Sequence, residues 1–267
     1  MKKTVADATE LSKTVRRHVV QMCHDGKSSH VGSCLSVTDI VACVYSIMKF
    51  EPSNPHWSER DFFILSKGHA GAVVYSVLAE LGYFSSEKLK EHYQNGSTMS
   101  GHVSHVKNPG VEFSTGSLGH GLSVSTGIAH SIKTDGLENR VFCVLSDGEM
   151  GEGSNWEALL FAAHHNLDNL TALVDRNNLQ SIKGTEETLA LEPLAQKIEA
   201  FGWKVLTVDG HDHAKILTAL NKKVSGPKMI LCKTTKGKGV SFMEGSVKWH
   251  YASPDAKELA KALDELV

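Results

Sequence analysis

The hydrophobic pattern between residues 140 and 180 alternates apolar runs with one helical stripe. Residues 141–145 and 170–174 are unbroken apolar runs, as expected of strands buried on both faces of a sheet. Between them, Trp156, Leu159, Leu160 and Ala163 recur at the spacing of one helix face. This order predicts a βαβ unit, whose two strands are parallel and end at the same edge of the sheet.

The same alternation continues through the rest of the chain. Helices are predicted over residues 5–24, from 37 onwards, 72–81, after 121, 193–201 and 212–224, and strands over residues 61–65, 203–208 and 229–232. Alternating strands and helices predict an α/β fold with a doubly wound, mostly parallel sheet flanked by helices. A chain of 267 residues fits one such domain, spanning residues 1–267.

Composition and charge narrow the possible partners. The formal net charge is −2, so no strong basic field favours nucleic acid or an anionic membrane surface. The five cysteines are scattered and form no CxxC pair, which favours a reducing compartment over a disulfide framework. The sequence shows neither a signal peptide nor an apolar run approaching about 18 residues, so we expect a cytoplasmic protein.

Polar residues stand where both predicted strands of the βαβ unit end. Asp147 and Asn177 supply hard oxygen donors, which suit Mg²⁺ or Ca²⁺ held together with substrate phosphates. Gly148, Gly151 and Gly153 would let the backbone approach a bulky anion, and the N-terminus of the next helix would favour it. The alternative interpretation is that the aspartate only caps a helix and the asparagine only forms a turn.

A resemblance to a known family follows from these residues. Asp147-Gly148 with Asn177-Asn178 downstream resembles the thiamine diphosphate fingerprint GDG…NN, with Ser146 in place of the first glycine. The surrounding sequence resembles transketolase. That resemblance implies the thiamine diphosphate-binding fold, with thiamine diphosphate and Mg²⁺ as cofactors and Ca²⁺ as a possible substitute for the metal.

Four histidines stand in further segments that resemble transketolase motifs. They are His30 in SSHVG (resembling SGHPG), His69 in LSKGHA (LSxGHA), His102 in SGHVSH (the GHP segment) and His250 in WHYASP. The segment GSLGHG resembles GPLGQG, with Ser117 and His120 as departures. A single loop histidine, taken alone, is more often a solvated or capping residue.

The resemblance also implies a role for individual residues. The implied cofactor-binding residues are His69, Gly116, Ser117, Leu118, Asp147, Gly148, Glu149, Glu152, Asn177, Leu179 and His250. The implied metal ligands are Asp147, Asn177 and the carbonyl of Leu179. The implied catalytic residues are His30, His102 and His69, since imidazoles exchange protons near neutral pH.

The resemblance covers only the diphosphate-binding domain of a full-length transketolase. We therefore expect the pyrimidine and C-terminal domains to be absent and this chain to be the N-terminal subunit of a split transketolase. It would transfer a two-carbon ketol unit from a ketose, such as a sugar phosphate, to an aldose. The expected partner is a C-terminal subunit carrying the pyrimidine domain, in a heterotetramer with two copies of each chain. The alternatives are an enzyme of the 1-deoxyxylulose-phosphate synthase type and a non-catalytic, cofactor-binding assembly subunit.

Two other motifs leave their function open. His211 and His213 have a spacing that metal sites use, but Asp212 as a helix cap explains the segment more simply. The glycine- and lysine-rich loop at residues 236–239 either reaches a phosphate or is a solvated charged turn. It lacks the order of a Walker A motif, which excludes a P-loop NTPase.

Overall fold

A computed structural model describes residues 4–266 and contains one parallel sheet between two layers of helices. The strands are β1 (Phe62–Leu65), β2 (Val141–Ser146), β3 (Leu170–Arg176), β4 (Lys204–Asp209) and β5 (Lys228–Lys233). They lie in the order β1-β2-β3-β5-β4, and every neighbouring pair is parallel. The predicted doubly wound parallel sheet is confirmed.

The helices follow the predicted alternation, with two additions. They are α1 (Val5–Asp25), α2 (Val31–Ile47), α3 (Gly71–Glu80), α4 (His120–Thr134), α5 (Gly153–His164), α6 (Thr185–Thr188), α7 (Leu194–Ala200), α8 (His213–Asn221) and α9 (Ala256–Glu265). The sequence did not lead us to predict α6 or α9. At the start of α9, Asp255 and Glu258 form a reciprocal capping box, which the sequence pattern could have indicated.

Alternate side chains of each strand enter two separate hydrophobic cores. Phe142 and Val144 of β2 point into the core beneath α1, α2, α3 and α8, whereas Cys143 and Leu145 point into the core beneath α4, α5 and α7. Covering both faces of the central strands explains why their sequences are apolar throughout. All five cysteines are buried and unpaired. Over residues 4–266, no helix is both long and apolar enough to cross a membrane.

Two helices differ from their predicted form. Helix α2 begins at Val31, six residues before the predicted start at Val37, because residues 31–46 are all buried and packing outweighs the weak helix propensity of the Gly-Ser segment. In α5, Leu160 is 60 % exposed, whereas the smaller Ala158 and Ala162 face the core. The predicted apolar face of α5 was therefore wrong at this leucine.

The register brings the loops after four strands to one edge of the sheet. Ser146 of β2 pairs with Asp175 of β3, and Arg176 of β3 pairs with Lys233 of β5. Strand order reverses between β3 and β5, since the chain passes to the outer strand β4 before returning. Crevices at such reversal points, outside the carboxyl ends of the strands, are the usual ligand sites of open α/β sheets.

Candidate active site

A cavity of about 290 Å³ opens at this edge of the sheet. The predicted site residues among its lining residues are His30, His69, His102, Gly116, Leu118, Asp147, Gly148, Asn177, Leu179 and His250. Its other lining residues are Ser33, Lys67, Ser146, Gln180, Ser181 and Tyr251. The structure therefore brings together residues that lie far apart along the chain.

Three predicted cofactor-binding residues do not line this cavity. Glu149 is fully buried, and its carboxylate accepts hydrogen bonds from the Ser66 hydroxyl at 2.5 Å and the Gly119 amide at 2.9 Å. Glu149 therefore fixes the loop that precedes α4 and makes no direct contact with the cavity. Ser117 and Glu152 are exposed outside it.

The structure also corrects the expectation for the glycines and for the helix that faces the anion. Of the three glycines after β2, Gly148 lines the cavity, whereas Gly151 and Gly153 lie outside it. The helix N-terminus at the cavity is that of α2, through His30 and Ser33, and not that of α5. This difference arises because α2 starts six residues earlier than its sequence pattern indicates.

Four imidazole rings form one cluster in the cavity. The ring centroid of His30 lies 5.1 Å from that of His69, 5.5 Å from that of His102 and 5.0 Å from that of His250. The backbone adds a link, since the His30 amide donates to the His250 carbonyl at 2.8 Å. The ring of Tyr251, which is 63 % exposed, lies at the edge of this cluster, 4.8 Å from the His250 ring.

The environment keeps these imidazoles neutral. Burial, followed by the charges of His102, Lys236 and Lys67, lowers the pKa of His30 to about 4. Burial and the Lys236 charge likewise lower the pKa of His250 to about 3. The pKa of His69 falls well below its ordinary value because the ring is buried beside Lys67. Neutral rings can both donate and accept a hydrogen bond, which suits proton exchange with hydroxyl groups.

The three predicted metal ligands lie together at the ends of β2 and β3. Asp147 is 1 % exposed and accepts hydrogen bonds from the Asn178 amide at 2.7 Å and from Arg176 at 3.1 Å. Asn177 accepts from the Leu179 amide through its side-chain oxygen at 3.1 Å. Burial, together with the nearby Asp175 charge, raises the pKa of Asp147, so this carboxylate would gain from a cation beside it.

Two buried lysines lie beside these oxygen ligands. The first, Lys67, is fully buried and forms an ion pair with Asp175 at 2.5 Å. Burial raises the pKa of Asp175, but Lys67 and the hydroxyls of Ser36 and Thr234 outweigh that effect, and the pKa lies below its ordinary value. The first lysine is therefore electrically compensated by a carboxylate.

The second lysine, Lys236, forms no ion pair with a carboxylate in the part of the chain that the structure describes, although the charges of Asp147 and Asp175 act on it from a distance. It is 1 % exposed, and its ammonium donates to the Gln180 carbonyl at 2.9 Å and to Nδ1 of His250 at 2.8 Å. Burial and the Lys67 charge lower the pKa of Lys236 to about 8. A buried, unpaired cation is costly, and an anionic ligand would offset that cost.

Sequence reasoning missed most of these charged residues. Lys67 stands inside the motif LSKGHA, and Asp175 and Arg176 directly precede Asn177. Their positions within or beside these motifs could have identified them as site residues. For Lys236 the alternative of a solvated turn is wrong, since the residue is buried. The segment around His211 is structural: this histidine bonds to Asp39 at 2.8 Å, and Asp212 caps α8.

The donor set fits a metal held together with a diphosphate. In residues 4–266, no group of three or more histidine, cysteine or acidic side chains could hold a metal alone. One carboxylate, one amide oxygen and one carbonyl are instead an incomplete set, of the kind Mg²⁺ completes with phosphate oxygens and water. The unpaired ammonium of Lys236 and the N-terminus of α2 supply the charge and dipole that a diphosphate requires.

Comparison with known proteins identifies a matching family and several relatives. A family model described as "Transketolase, thiamine diphosphate binding domain" matches residues 7–266. An apulose-4-phosphate transketolase subunit of Phocaeicola vulgatus is 38 % identical over 262 residues, covering 96 % of this chain and 92 % of the relative. A 6-deoxy-6-sulfo-D-fructose transketolase subunit of a Clostridium species is 42 % identical, covering 83 % of this chain and 82 % of the relative.

Solved structures show the same likeness. The crystal structure of transketolase from Campylobacter jejuni superimposes with a TM-score of 0.93 at 33 % sequence identity. The superposition covers 98 % of this chain but only 43 % of the Campylobacter chain. This chain therefore spans less than half the length of that transketolase, and nearly the whole length of the relative from Phocaeicola.

Proposed function

This chain belongs to the transketolase family, and on that premise we propose that it transfers a two-carbon ketol unit from a ketose to an aldose together with a partner subunit. The observation that carries this proposal is the buried ammonium of Lys236, which has no ion-pair partner among residues 4–266. It lies against Gln180 and His250, beside the oxygen ligands at the ends of β2 and β3. A buried cation next to hard oxygen donors is the arrangement that a metal–diphosphate requires.

Thiamine diphosphate is the cofactor of the matched domain, and we propose Mg²⁺ as its metal. Asp147, Asn177 and the carbonyl of Leu179 would hold the metal. Lys236 would bind the diphosphate, and Lys67 would add positive charge while remaining paired with Asp175. When bound, thiamine diphosphate supplies the electron sink for the two-carbon fragment. Ca²⁺ would be an alternative metal, because it accepts the same oxygen ligands.

The histidine cluster would handle protons and sugar hydroxyls. Nδ1 of His250 accepts a hydrogen bond from Lys236, which leaves the ring hydrogen on Nε2. His30 is neutral, lies at the centre of the cluster and shares a hydrogen bond between its Nδ1 and the Ser29 hydroxyl at 3.0 Å. With Nδ1 donating to that hydroxyl, the lone pair of Nε2 would be the one that accepts a proton. We propose that His30 and His102 contact the reacting sugar and that His69 orients the cofactor. Burial lowers the pKa of His102 as well, although its side chain is the more exposed.

We propose that this chain acts as a single domain, with the pyrimidine-binding half of the site supplied by a partner subunit. The relatives from Phocaeicola and Actinobacillus are both named as subunits of a transketolase, and both are covered almost end to end. Two copies of each chain would form a heterotetramer. Large apolar side chains are exposed around the cavity, including Tyr251 at 63 % and Ile182 at 75 %, which supports contact with another protein surface.

The substrate class follows from the relatives and from the charge of the site. Relatives are named for an apulose phosphate and for a sulfonated fructose, both of which carry an anionic group. We propose that this chain likewise acts on ketoses with an anionic substituent, of which a sugar phosphate is the simplest. The buried, unpaired cysteines support a reducing location, and we place the protein in the cytoplasm.

The test is turnover by the purified pair of subunits with Mg²⁺ and thiamine diphosphate. We expect transfer from a phosphorylated ketose to an aldehyde acceptor, measured by the appearance of the lengthened sugar. Turnover of pyruvate without turnover of any ketose would instead indicate an enzyme of the 1-deoxyxylulose-phosphate synthase type. Cofactor binding without turnover of either donor would indicate an assembly subunit.

A further inference from the structure

Behind the loop that carries Lys236, one arginine and two histidines surround the carboxylate of Asp39. Asp39 lies on α2 and is 2 % exposed. Arg16 of α1 binds both carboxylate oxygens, at 2.8 and 2.5 Å. His211 approaches the same group through Nδ1 at 2.8 Å, and His213 through Nε2 at 3.2 Å. Burial raises the pKa of Asp39, but these three partners outweigh burial and hold it well below its ordinary value. The carboxylate is therefore ionised.

The second ring nitrogen of His211 reaches the backbone of the loop. The amide of Thr235 donates a hydrogen bond to Nε2 at 2.8 Å. Because Nε2 accepts, the ring hydrogen lies on Nδ1 and is donated to Asp39. The buried carboxylate therefore orients the imidazole, and the imidazole holds the peptide that immediately precedes Lys236.

Other anchors hold the loop on the far side of the lysine. Residues 234–239 leave the sheet after β5, and the Lys238 carbonyl accepts a hydrogen bond from Nε of Arg16 at 3.2 Å. The Gly237 amide donates to the Gly32 carbonyl at 2.9 Å. Two of these three anchors lead back to the same buried carboxylate. Further hydrogen bonds hold the loop elsewhere, from the Thr234 amide to the Arg176 carbonyl at 3.1 Å and from the Gly245 amide to the Lys236 carbonyl at 2.9 Å. The contact of His211 therefore acts on the one peptide between Thr234 and Lys236.

His211 itself cannot touch a ligand in the active-site cavity. It lines a separate cavity of about 270 Å³ together with Arg16, Asp39 and His213. Any effect of His211 on ligand binding must therefore pass through the loop. His213 provides an internal comparison, because it bonds to the same carboxylate and to the Ser12 hydroxyl, at 3.2 Å each, and makes no hydrogen bond to residues 234–239.

We propose that His211 is a positioning residue: by linking the Asp39 carboxylate to the Thr235 amide, it fixes the loop so that the Lys236 ammonium is preorganised for a diphosphate. This role rests on the proposed function, in which Lys236 binds the diphosphate of the cofactor. Preorganisation increases affinity because the ligand does not have to order the loop as it binds.

Three variants of the full chain separate this role from a general contribution to folding. In His211→Asn the shorter amide can still donate to Asp39, but it offers no acceptor to the Thr235 amide. His211→Gln places an acceptor near the position of Nε2 and should restore the loop contact. His213→Ala removes a hydrogen bond to the same carboxylate without touching the loop, and is the matched control.

The measurement is the Kd for inorganic diphosphate with Mg²⁺, by titration calorimetry, alongside urea unfolding of each variant. H211N should weaken binding about tenfold, the effect of losing roughly one good hydrogen bond. H211Q and H213A should stay within about twofold to threefold of the wild type. Should H211N fail to fold, His211→Phe fills the same volume without a ring nitrogen and carries the same expectation.

A double variant that also carries Lys236→Met distinguishes failure of the proposed diphosphate site from failure of the positioning role. In the K236M background, H211N should cause almost no further loss, because the group it positions is gone. Equal binding by the wild type and K236M, including no binding by either, would overturn the diphosphate site and the positioning role together. If K236M bound diphosphate more weakly than the wild type while H211N and H213A had the same Kd, the positioning role alone would be overturned.

Discussion

Replacing Lys236 by methionine should stabilise the ligand-free protein at neutral pH while weakening diphosphate binding. The lysine is 1 % exposed and has no carboxylate partner among the described residues. Burial and the Lys67 charge lower its pKa from the ordinary value of 10.5 to about 8. Methionine has a similar length and no charge, so it fills the same space without the cost of burying an ammonium.

The magnitude follows from two opposing contributions. Lowering the pKa of Lys236 from 10.5 to about 8 means that the charged side chain destabilises the folded protein by roughly 3 kcal/mol. Methionine loses the hydrogen bonds to Gln180 and His250, at about 1 kcal/mol each. The expected net gain at pH 7 is therefore about 1 kcal/mol, or a rise in Tm of about 2–4 °C for a chain of this size.

The sign of this effect should reverse with pH. Because the folded pKa of Lys236 lies below its unfolded value, the cost is complete below about pH 8 and disappears as the pH rises to 10.5. Above that window the neutral amine keeps its hydrogen bonds at no electrostatic cost. The wild type should then be the more stable protein, by about 2 kcal/mol.

Urea unfolding of the wild type and K236M at pH 7 and near pH 10.5 tests this reasoning. Lys233→Met is a matched control, because this lysine is exposed at the end of β5, three residues before Lys236. A K236M variant that is less stable than the wild type at pH 7, with no crossing at higher pH, would refute the argument. The charges of Asp147 and Asp175, which oppose the pKa shift of Lys236, would then compensate the ammonium almost completely.

Four further predictions concern the rest of the site. Asp147→Asn should abolish the stabilisation that Mg²⁺ and thiamine diphosphate give the wild type, about 2.7 kcal/mol at a hundred times Kd, measured by thermal unfolding. His69→Ala should raise the Kd for thiamine diphosphate but leave the Kd for inorganic diphosphate with Mg²⁺ unchanged. In contrast, His30→Ala or His102→Ala should mainly lower kcat, by about 10²–10⁴-fold. His30→Ala should also lessen the loss of stability as the pH falls from 6.5 to about 4, because the depressed pKa favours the unfolded chain in that window. The isolated chain should show no ketol transfer, and activity should rise with added partner until light scattering shows two copies of each subunit.

The sequence predicted the sheet well because buried parallel strands have an unmistakable apolar pattern. It predicted the start of α2 poorly, since the segment around Gly32 and Ser33 forms a helix only through burial. It also misjudged Leu160, because two small alanines of α5 pack closely against the sheet and turn the leucine outwards. Hydrophobic periodicity indicates that a helix has an apolar face, but the fit of particular side chains decides which face it is.

The charged residues show a different limit of sequence reasoning. Lys67, Asp175 and Lys236 lie far apart in the sequence, and nothing in their spacing shows that they are buried together. Whether a lysine has an ion-pair partner depends on its neighbours in space, so Lys67 and Lys236 differ in their electrostatic environment although both stand in loops with glycine. The family motifs located the histidines because those motifs are local in sequence.

The charges of the site also connect ligand binding to proton transfer. Burial lowers the pKa of His30 to about 4, and the charges of His102, Lys236 and Lys67 contribute to that shift. A diphosphate beside Lys236 would bring negative charge to the same region, oppose the lysine contribution and raise the pKa of this histidine. The imidazole would then become a stronger base only after the anion had bound. In the proposed reaction, proton abstraction from a sugar hydroxyl would thereby be favoured when the cofactor is bound.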